Sequence, residues 1–259
     1  MCLILLGWRA HPDIPLLVAA NRDEFYKRDA QPLHWWSEGG ILAGRDVSVE
    51  GGGTWMGISR AGRFAAVTNV RIPDDEVDGA RTRGELAVNY LDSQDDPRDF
   101  LTRLAAEGKR YNGFNLLVGT LGSGPGDELW WYSNRSGEPR PLEPGVHGVS
   151  NASLDTPWPK VVDGVAGLTA ELARDTGRVE PYLDLLSNRT PAPDDQLPHT
   201  GLGLERERAA SAAFINVPGY GTRASTVVRV RSDRTFVVTE RSFDERGATG
   251  TVEIEGGFD

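Results

Sequence analysis

The sequence predicts an α+β sandwich of four layers, two antiparallel sheets packed face to face with helices on their outer faces (αββα). Three observations lead there. The chain alternates in blocks, running strands, helices, strands, helices, strands. Many of its strand segments are apolar at consecutive positions, as sheets covered on both faces require. No internal repeat and no linker interrupts its 259 residues, which suits one domain over 1–259 with a sizeable core.

The elements follow in order. Leu3–Trp8 and Leu16–Ala20 are expected strands, with a turn at Pro12-Asp13 between them. Trp55–Ser59 and Arg63–Asn69 form a hairpin-like pair joined through Ala61-Gly62, and residues 73–80 form an acidic loop. Thr82 and Glu85 are spaced as a capping box, ahead of an apolar helix face of Leu86, Ala87, Tyr90 and Leu91. Asp96-Pro97 opens a second helix, because proline suits the first turn and aspartate the cap. Strands return at Phe114–Thr120, Glu128–Ser133 and near Val146–Ser150. A helix begins at Thr156-Pro157 with Val161, Val162, Val165, Leu168 and Leu172 inward, and a shorter one covers Pro181–Leu186. Residues 188–203 are rich in Pro and Asp and are expected as a loop. Three strands, Arg223–Arg231, Arg234–Ser242 and Thr249–Glu255, complete the chain.

Composition narrows the function. A net charge of −10 repels phosphate backbones and anionic lipid surfaces, so neither nucleic acid nor a membrane surface is an expected partner. A single cysteine excludes an internal disulfide framework and a cysteine-based zinc cluster. No apolar run approaches the ~18 residues of a membrane span. The apolar stretch after the N-terminus lacks the basic flank of a secretory signal. A cytoplasmic protein without stable membrane insertion is expected, and composition leaves its oligomeric state open.

That single cysteine is Cys2. As a small hydrophobe it would fill a buried strand. With Met1 removed, the same residue carries a thiol and a free α-amine, whose unperturbed pKa of about 7.7–8.0 lets it serve as base toward that thiol. Asn21-Arg22-Asp23-Glu24 closes the second expected strand. If the first two strands pair, a guanidinium there lowers the thiol pKa and a carboxylate orients the amine; as a charged turn, the same residues would only pair with each other. Asn69 ends one expected strand and Asn151 follows another, so both amides reach a strand-end cleft, or each caps its own turn. Gly51-Gly52-Gly53-Thr54 is no phosphate loop, since no Gly-Lys-Ser/Thr follows, and tight backbone packing is its expected use. His11, His34, His147 and His199 show no metal-ligand spacing. Trp35-Trp36 and Trp130-Trp131 suit core packing, and the first pair suits a cleft wall as well.

Taken in order, "MC", "AANRDEFYKR", "GGGTWMGIS", "AAVTNVR", "YNGFNLLVG", "GVSNASLDTPWPK", "GYGTRASTVVRV" and "TERSF" resemble the NRDE (transport and Golgi organization 2) family over nearly the whole chain. Members have been linked to Golgi organisation, haem trafficking and lipid or acyl-CoA metabolism. The family is similar in turn to N-terminal nucleophile (Ntn) hydrolases of the choloylglycine hydrolase and penicillin V acylase type. That resemblance implies the αββα fold and a processed N-terminal cysteine, Cys2. It implies Arg22 and Asp23 as its strand-end partners, with Glu24 the other candidate for the aspartate role. It also implies Asn69 and Asn151 at the oxyanion, and Asn21 and Arg223 as supporting residues. The implied activity is hydrolysis of a linear amide or other acyl bond in a small, partly apolar metabolite, with no cofactor. The other implication is a binding and trafficking protein that carries haem, an acyl-CoA or a lipid in the same cleft.

Overall fold

In a computed structural model, the structure describes residues 2–48, 52–72, 79–122 and 124–259. Met1, Gly51 and most of the expected acidic loop at 73–80 lie outside those residues.

Two antiparallel sheets form the centre. The first contains β1 (Cys2–His11), β2 (Ile14–Phe25), β10 (Gly145–Val149), β12 (Tyr220–Val230), β13 (Thr235–Asp244) and β14 (Gly247–Gly257), in the order β10-β1-β2-β12-β13-β14. A short β11 (Asn216–Val217) pairs with β12. The second sheet is a meander of β3 (Ala30–Trp35), β4 (Ile41–Asp46), β5 (Met56–Ser59), β6 (Arg63–Asn69), β7 (Phe114–Thr120), β8 (Glu128–Ser133) and β9 (Arg140–Pro141). Helices α1 (Gly84–Leu91) and α2 (Pro97–Glu107) cover the second sheet, and α3 (Pro159–Arg174) and α4 (Glu180–Leu186) cover the first. A fifth helix, α5 (Leu204–Ser211), follows the loop at 188–203.

The period-2 alternation of a strand builds three cores. Ile4, Leu6 and Trp8 of β1 and Leu16, Val18 and Ala20 of β2 face the second sheet, where Met56, Ile58, Phe64 and Leu117 meet them. The intervening Leu3, Leu5, Leu17 and Ala19 face α3 and α4, against Leu168, Leu172 and Leu183. On the far side, Leu86, Tyr90 and Leu101 of α1 and α2 pack on Ala65, Leu116 and Val118. This double coverage is why those strands carry runs of consecutive apolar positions.

Several expectations need correction. β2 continues five residues past Ala20, through the charged Asn-Arg-Asp-Glu run, because it is paired on both sides: Cys2 opposes Arg22 on β1, and Thr222 opposes Asp23 on β12. The capping box does not close. Arg83 is the N-cap of α1 without a side-chain cap bond. The Glu85 carboxylate pairs instead with Arg81 at 2.6 Å and accepts the Tyr111 hydroxyl at 2.6 Å. The helix expected from Thr156-Pro157 starts at Pro159, with proline again in the first turn. β3, β4, β9, β11 and α5 were not anticipated. Trp35 packs in the inter-sheet core against Phe236, and Trp36 is buried on the helix side with its indole donating to the Ala43 carbonyl at 3.1 Å.

Candidate active site

One end of the inter-sheet space collects the start of β1, the end of β2, the end of β6, the end of β10 and the start of β12. A cleft of about 490 Å³ opens there, lined among others by Cys2, Arg22, Asp23, Glu24 and Asn69. Strand parity explains who faces it. Cys2 and Arg22 continue the even positions of β1 and β2 that point between the sheets, and they are direct cross-strand partners. Asn21 and Asp23 continue the odd positions. Asp23 borders the cleft nonetheless, because it sits at the open strand end.

Cys2 is 8% exposed. Burial is the largest influence on its thiol and pushes the pKa up. The Asp23 carboxylate adds to that shift, while Arg22 and a hydrogen bond from the Asp23 backbone oppose it. The resting sulfur is therefore a neutral thiol that needs a base. Arg22 stands 3.6 Å from Asp46 and 3.9 Å from Glu24, and it makes no side-chain hydrogen bond among the described residues. Its donors remain available to a ligand. Asp46, from β4 of the opposite sheet, accepts Arg28 Nε at 2.7 Å. Burial works to raise the Asp46 carboxyl, but hydrogen bonds from Ser48 and Arg28 outweigh it and hold the pKa below the usual range.

Asp23 accepts the Thr222 hydroxyl at 2.7 Å and is 2% exposed. Burial raises its pKa, opposed by Lys160, Thr222 and Arg22. Lys160 of α3 is 6% exposed and donates to the Ala210 carbonyl at 2.9 Å. Burial depresses its pKa to about 8, opposed by Asp23. Glu240, on the cleft floor, accepts the Leu33 N–H at 2.8 Å and the Thr226 hydroxyl at 3.2 Å; burial pushes its carboxyl up.

The two asparagines are adjacent but differently placed. Asn69 lines the cleft, and its carboxamide has no hydrogen-bond partner among the described residues. Asn151 stands behind it, 1% exposed, with Nδ2 donating to the Asn69 carbonyl at 2.9 Å. The sheets are stitched at the same point, where the Thr68 hydroxyl donates to the Ser150 carbonyl at 2.7 Å and the Ser150 hydroxyl to the Cys2 carbonyl at 2.8 Å.

Other expected site residues serve the frame. Asn21 faces the helix layer, donating to the Leu186 and Ala213 carbonyls at 2.9 and 2.8 Å and accepting the Ser225 hydroxyl at 2.6 Å. Glu24 pairs with Arg28 at 3.7 Å. Arg223 lines the cleft, and its guanidinium gathers the carbonyls of Phe25, Tyr26, Arg28 and Phe243 at 3.0–3.1 Å, fixing the turn after β2. Gly53 lines the cleft where its backbone packs against Gly84, 3.3 Å from an added Cβ. Asp46, Glu240 and Lys160 are not among the residues the sequence points to. Nothing local in the sequence marks them, since each arrives through a tertiary contact.

The model of the family described as Transport and Golgi organisation 2 matches residues 1–245. The chain belongs to that family. It is 40% identical over 259 residues to the bovine Transport and Golgi organization protein 2 homolog, covering 93% of each chain. It is 36% identical over 263 residues to the human homolog, covering 95% of this chain and 94% of that one. The Drosophila melanogaster Transport and Golgi organization protein 2 is 26% identical over 287 residues, covering 100% of this chain and 99% of the other. Among solved structures, the chain is similar to a Caenorhabditis elegans ortholog of N-acylethanolamine-hydrolyzing acid amidase, with a TM-score of 0.48, 11% identity and coverage of 90% and 93%. It is also similar to a mutant conjugated bile acid hydrolase from Clostridium perfringens, with a TM-score of 0.45, 8% identity and coverage of 98% and 92%. No helix among the described residues is long and apolar enough to cross a membrane.

Proposed function

We propose that this protein is an N-terminal-nucleophile cysteine hydrolase that cleaves a linear amide or other acyl bond in a small, partly apolar metabolite. The observation that carries the proposal is the meeting of Cys2, Arg22 and Asn69 in one cleft. A lone thiol lies opposite a guanidinium that makes no side-chain hydrogen bond among the described residues, beside a carboxamide that has no hydrogen-bond partner among them.

The chemistry follows from the positions. Removal of Met1 gives Cys2 a free α-amine. The amine takes the thiol proton as sulfur attacks the acyl carbon, so that an S–C bond forms and the carbonyl oxygen becomes an oxyanion. The Asn69 carboxamide donates to that oxygen, a contact worth about 3–4 kcal/mol when preorganised in a dry site. As the C–N bond breaks, the leaving amine takes the proton back. Water then hydrolyses the thioester and restores the thiol. Arg22 offsets part of the burial that raises the thiol pKa. Asp23 suits the amine-orienting role better than Glu24, because it acts electrostatically on Cys2 while Glu24 pairs with Arg28. Trp55, Val67 and Phe243 supply apolar wall for the acyl part.

Haem carriage is the other reading of this cleft, with Cys2 as the lining residue that would supply a thiolate to iron; the six arginines and five carboxylates on the walls suit the apolar faces of a porphyrin poorly and favour hydrolysis. The deciding experiment measures hydrolysis of a panel of N-acyl amides and acyl esters by the wild type, Cys2→Ser and Cys2→Ala. Turnover is expected to vanish in Cys2→Ala while its melting temperature holds. Wild-type turnover in Cys2→Ala would refute the proposal.

A further inference from the structure

A buried polar chain runs from Asn69 away from the cleft, and the chemistry above does not use it. Asn151 Nδ2 donates to the Asn69 carbonyl at 2.9 Å. Asn151 Oδ1 accepts Arg71 Nη2 at 3.4 Å and lies 3.3 Å from the Ser150 hydroxyl, whose proton goes to the Cys2 carbonyl, while the Arg71 main-chain N–H donates to the Asn151 carbonyl at 2.7 Å. Arg71 Nη1 meets Glu207 Oε2 at 3.3 Å and the Thr200 hydroxyl at 3.2 Å, and its guanidinium lies 5.6 Å over the Trp158 ring. The second carboxylate oxygen of Glu207 accepts the Thr200 N–H and hydroxyl at 2.8 and 2.5 Å. Glu207 is 5% exposed and comes from α5, the helix whose sequence carries no amphipathic pattern.

A buried ion pair is weak evidence for stability, because desolvating both charges offsets their attraction. What such a pair supplies is a fixed direction for its hydrogen bonds. Here that direction ends on the peptide of Asn69, whose cleft-lining carboxamide has no hydrogen-bond partner among the described residues.

We propose that Glu207 and Arg71 are positioning residues for acyl transfer. Glu207 orients the Arg71 guanidinium, Arg71 holds Asn151, and Asn151 holds the Asn69 main chain so that the Asn69 carboxamide meets the oxyanion. This rests on the hydrolase function proposed above. Neither residue touches the reacting atoms, so the effect is confined to steps that develop an oxyanion.

Two reactions of the same sulfur separate that effect from general loosening. With p-nitrophenyl acetate, the thiol loses its proton, an S–C bond forms through a tetrahedral oxyanion, and p-nitrophenolate leaves. With iodoacetamide, the thiol likewise loses its proton, an S–C bond forms as the C–I bond breaks and iodide leaves by direct displacement, with no oxyanion. The chain has one cysteine, so intact mass reads both rates, with Cys2→Ala as the background for amine labelling. Glu207→Gln keeps the contacts to Thr200 but removes the negative charge that faces Arg71. Arg71→Lys keeps the charge opposite Glu207 but loses the second donor arm that reaches Asn151. Both are expected to slow acylation by ~10- to 100-fold, the scale of a slightly misplaced reacting group, and to leave alkylation unchanged. Arg208→Gln is the control. It cuts a tie of α5 to the same loop, Arg208 to Asp194 at 2.6–2.7 Å, that has no path to Asn151. Both of its rates are expected to match the wild type.

Thermal melts confirm that each variant is folded, and Arg71→Lys carries the test if Glu207→Gln is not. Wild-type acylation in the folded variants, an equal slowing of both reactions, or an equal loss in Arg208→Gln would overturn the inference. Wild-type acylation no faster than in Cys2→Ala would instead bring down the hydrolase function itself, and this inference with it.

Discussion

Cys2 and Arg22 face the same cleft because both stand at even positions of paired strands, and one shift of register would exchange them for Leu3 and Asn21. At this scale the proposed chemistry depends on single polar atoms. Asn69→Ala is expected to lower kcat by about 10²- to 10³-fold with little change in KM, because the amide acts only on the developing oxyanion; steady-state kinetics on the best substrate of the panel will check it. Lys160 makes a separate prediction about pH. Its folded pKa of about 8 lies below the ordinary value of 10.5, so between those values the unfolded chain binds more protons and stability rises with pH. Below the folded value the cost of the buried charge is fully present. Lys160→Met should remove that rise, and denaturant melts at pH 7, 8, 9 and 10 will compare the two slopes. Cys2, the Asn-Arg-Asp-Glu run, Asn69 and Asn151 could be picked out of the sequence because each sits at a strand end or carries a rare functional group. Their division of labour could not. Whether Asn151 enters the cleft or stands behind Asn69 is decided by Arg71 and Ser150, and Asp46, Glu240 and Glu207 reach the region only through packing between distant elements.

Elements were visible where apolar periodicity was strong. Arg63–Asn69, Phe114–Thr120 and Glu128–Ser133 match β6, β7 and β8 end for end. β3 carries a proline and three exposed residues out of six, and β4 ends in Gly-Arg-Asp, so neither has a readable alternation. α5 reads Leu-Glu-Arg-Glu-Arg-Ala-Ala-Ser, charged around its circumference, and its inward side holds Glu207, Ala210 and Ser211. That pattern has no hydrophobic stripe for a helix search to find. The close contact of α3 on β1 also depends on small residues, Gly7 on the strand and Gly164 on the helix. A Cβ on Gly164 would lie 2.6 Å from Leu5 Cδ2. Gly164→Val is expected to overpack this layer and cost about 1–3 kcal/mol, read from a lowered denaturation midpoint at unchanged slope.

Across the molecule, the two sheets share one apolar core, and the cleft is the end of it where side chains turn polar. The chain end contributes to that core. Phe258 packs on Phe236 with ring centroids 5.0 Å apart, and Asp259 N–H donates to the Arg60 carbonyl at 2.9 Å, which ties β14 to the hairpin of β5 and β6. Phe258→Ala is expected to destabilise the fold by about 3–5 kcal/mol, measured by chemical denaturation.

The central claim is that the mature chain begins with a sulfur nucleophile whose own amine is its base. Intact mass with N-terminal sequencing of the active, purified protein tests this most directly. The account predicts a chain lighter by one methionine residue, with Cys2 first and its amine free. A protein that hydrolyses acyl donors with Met1 still attached would contradict it.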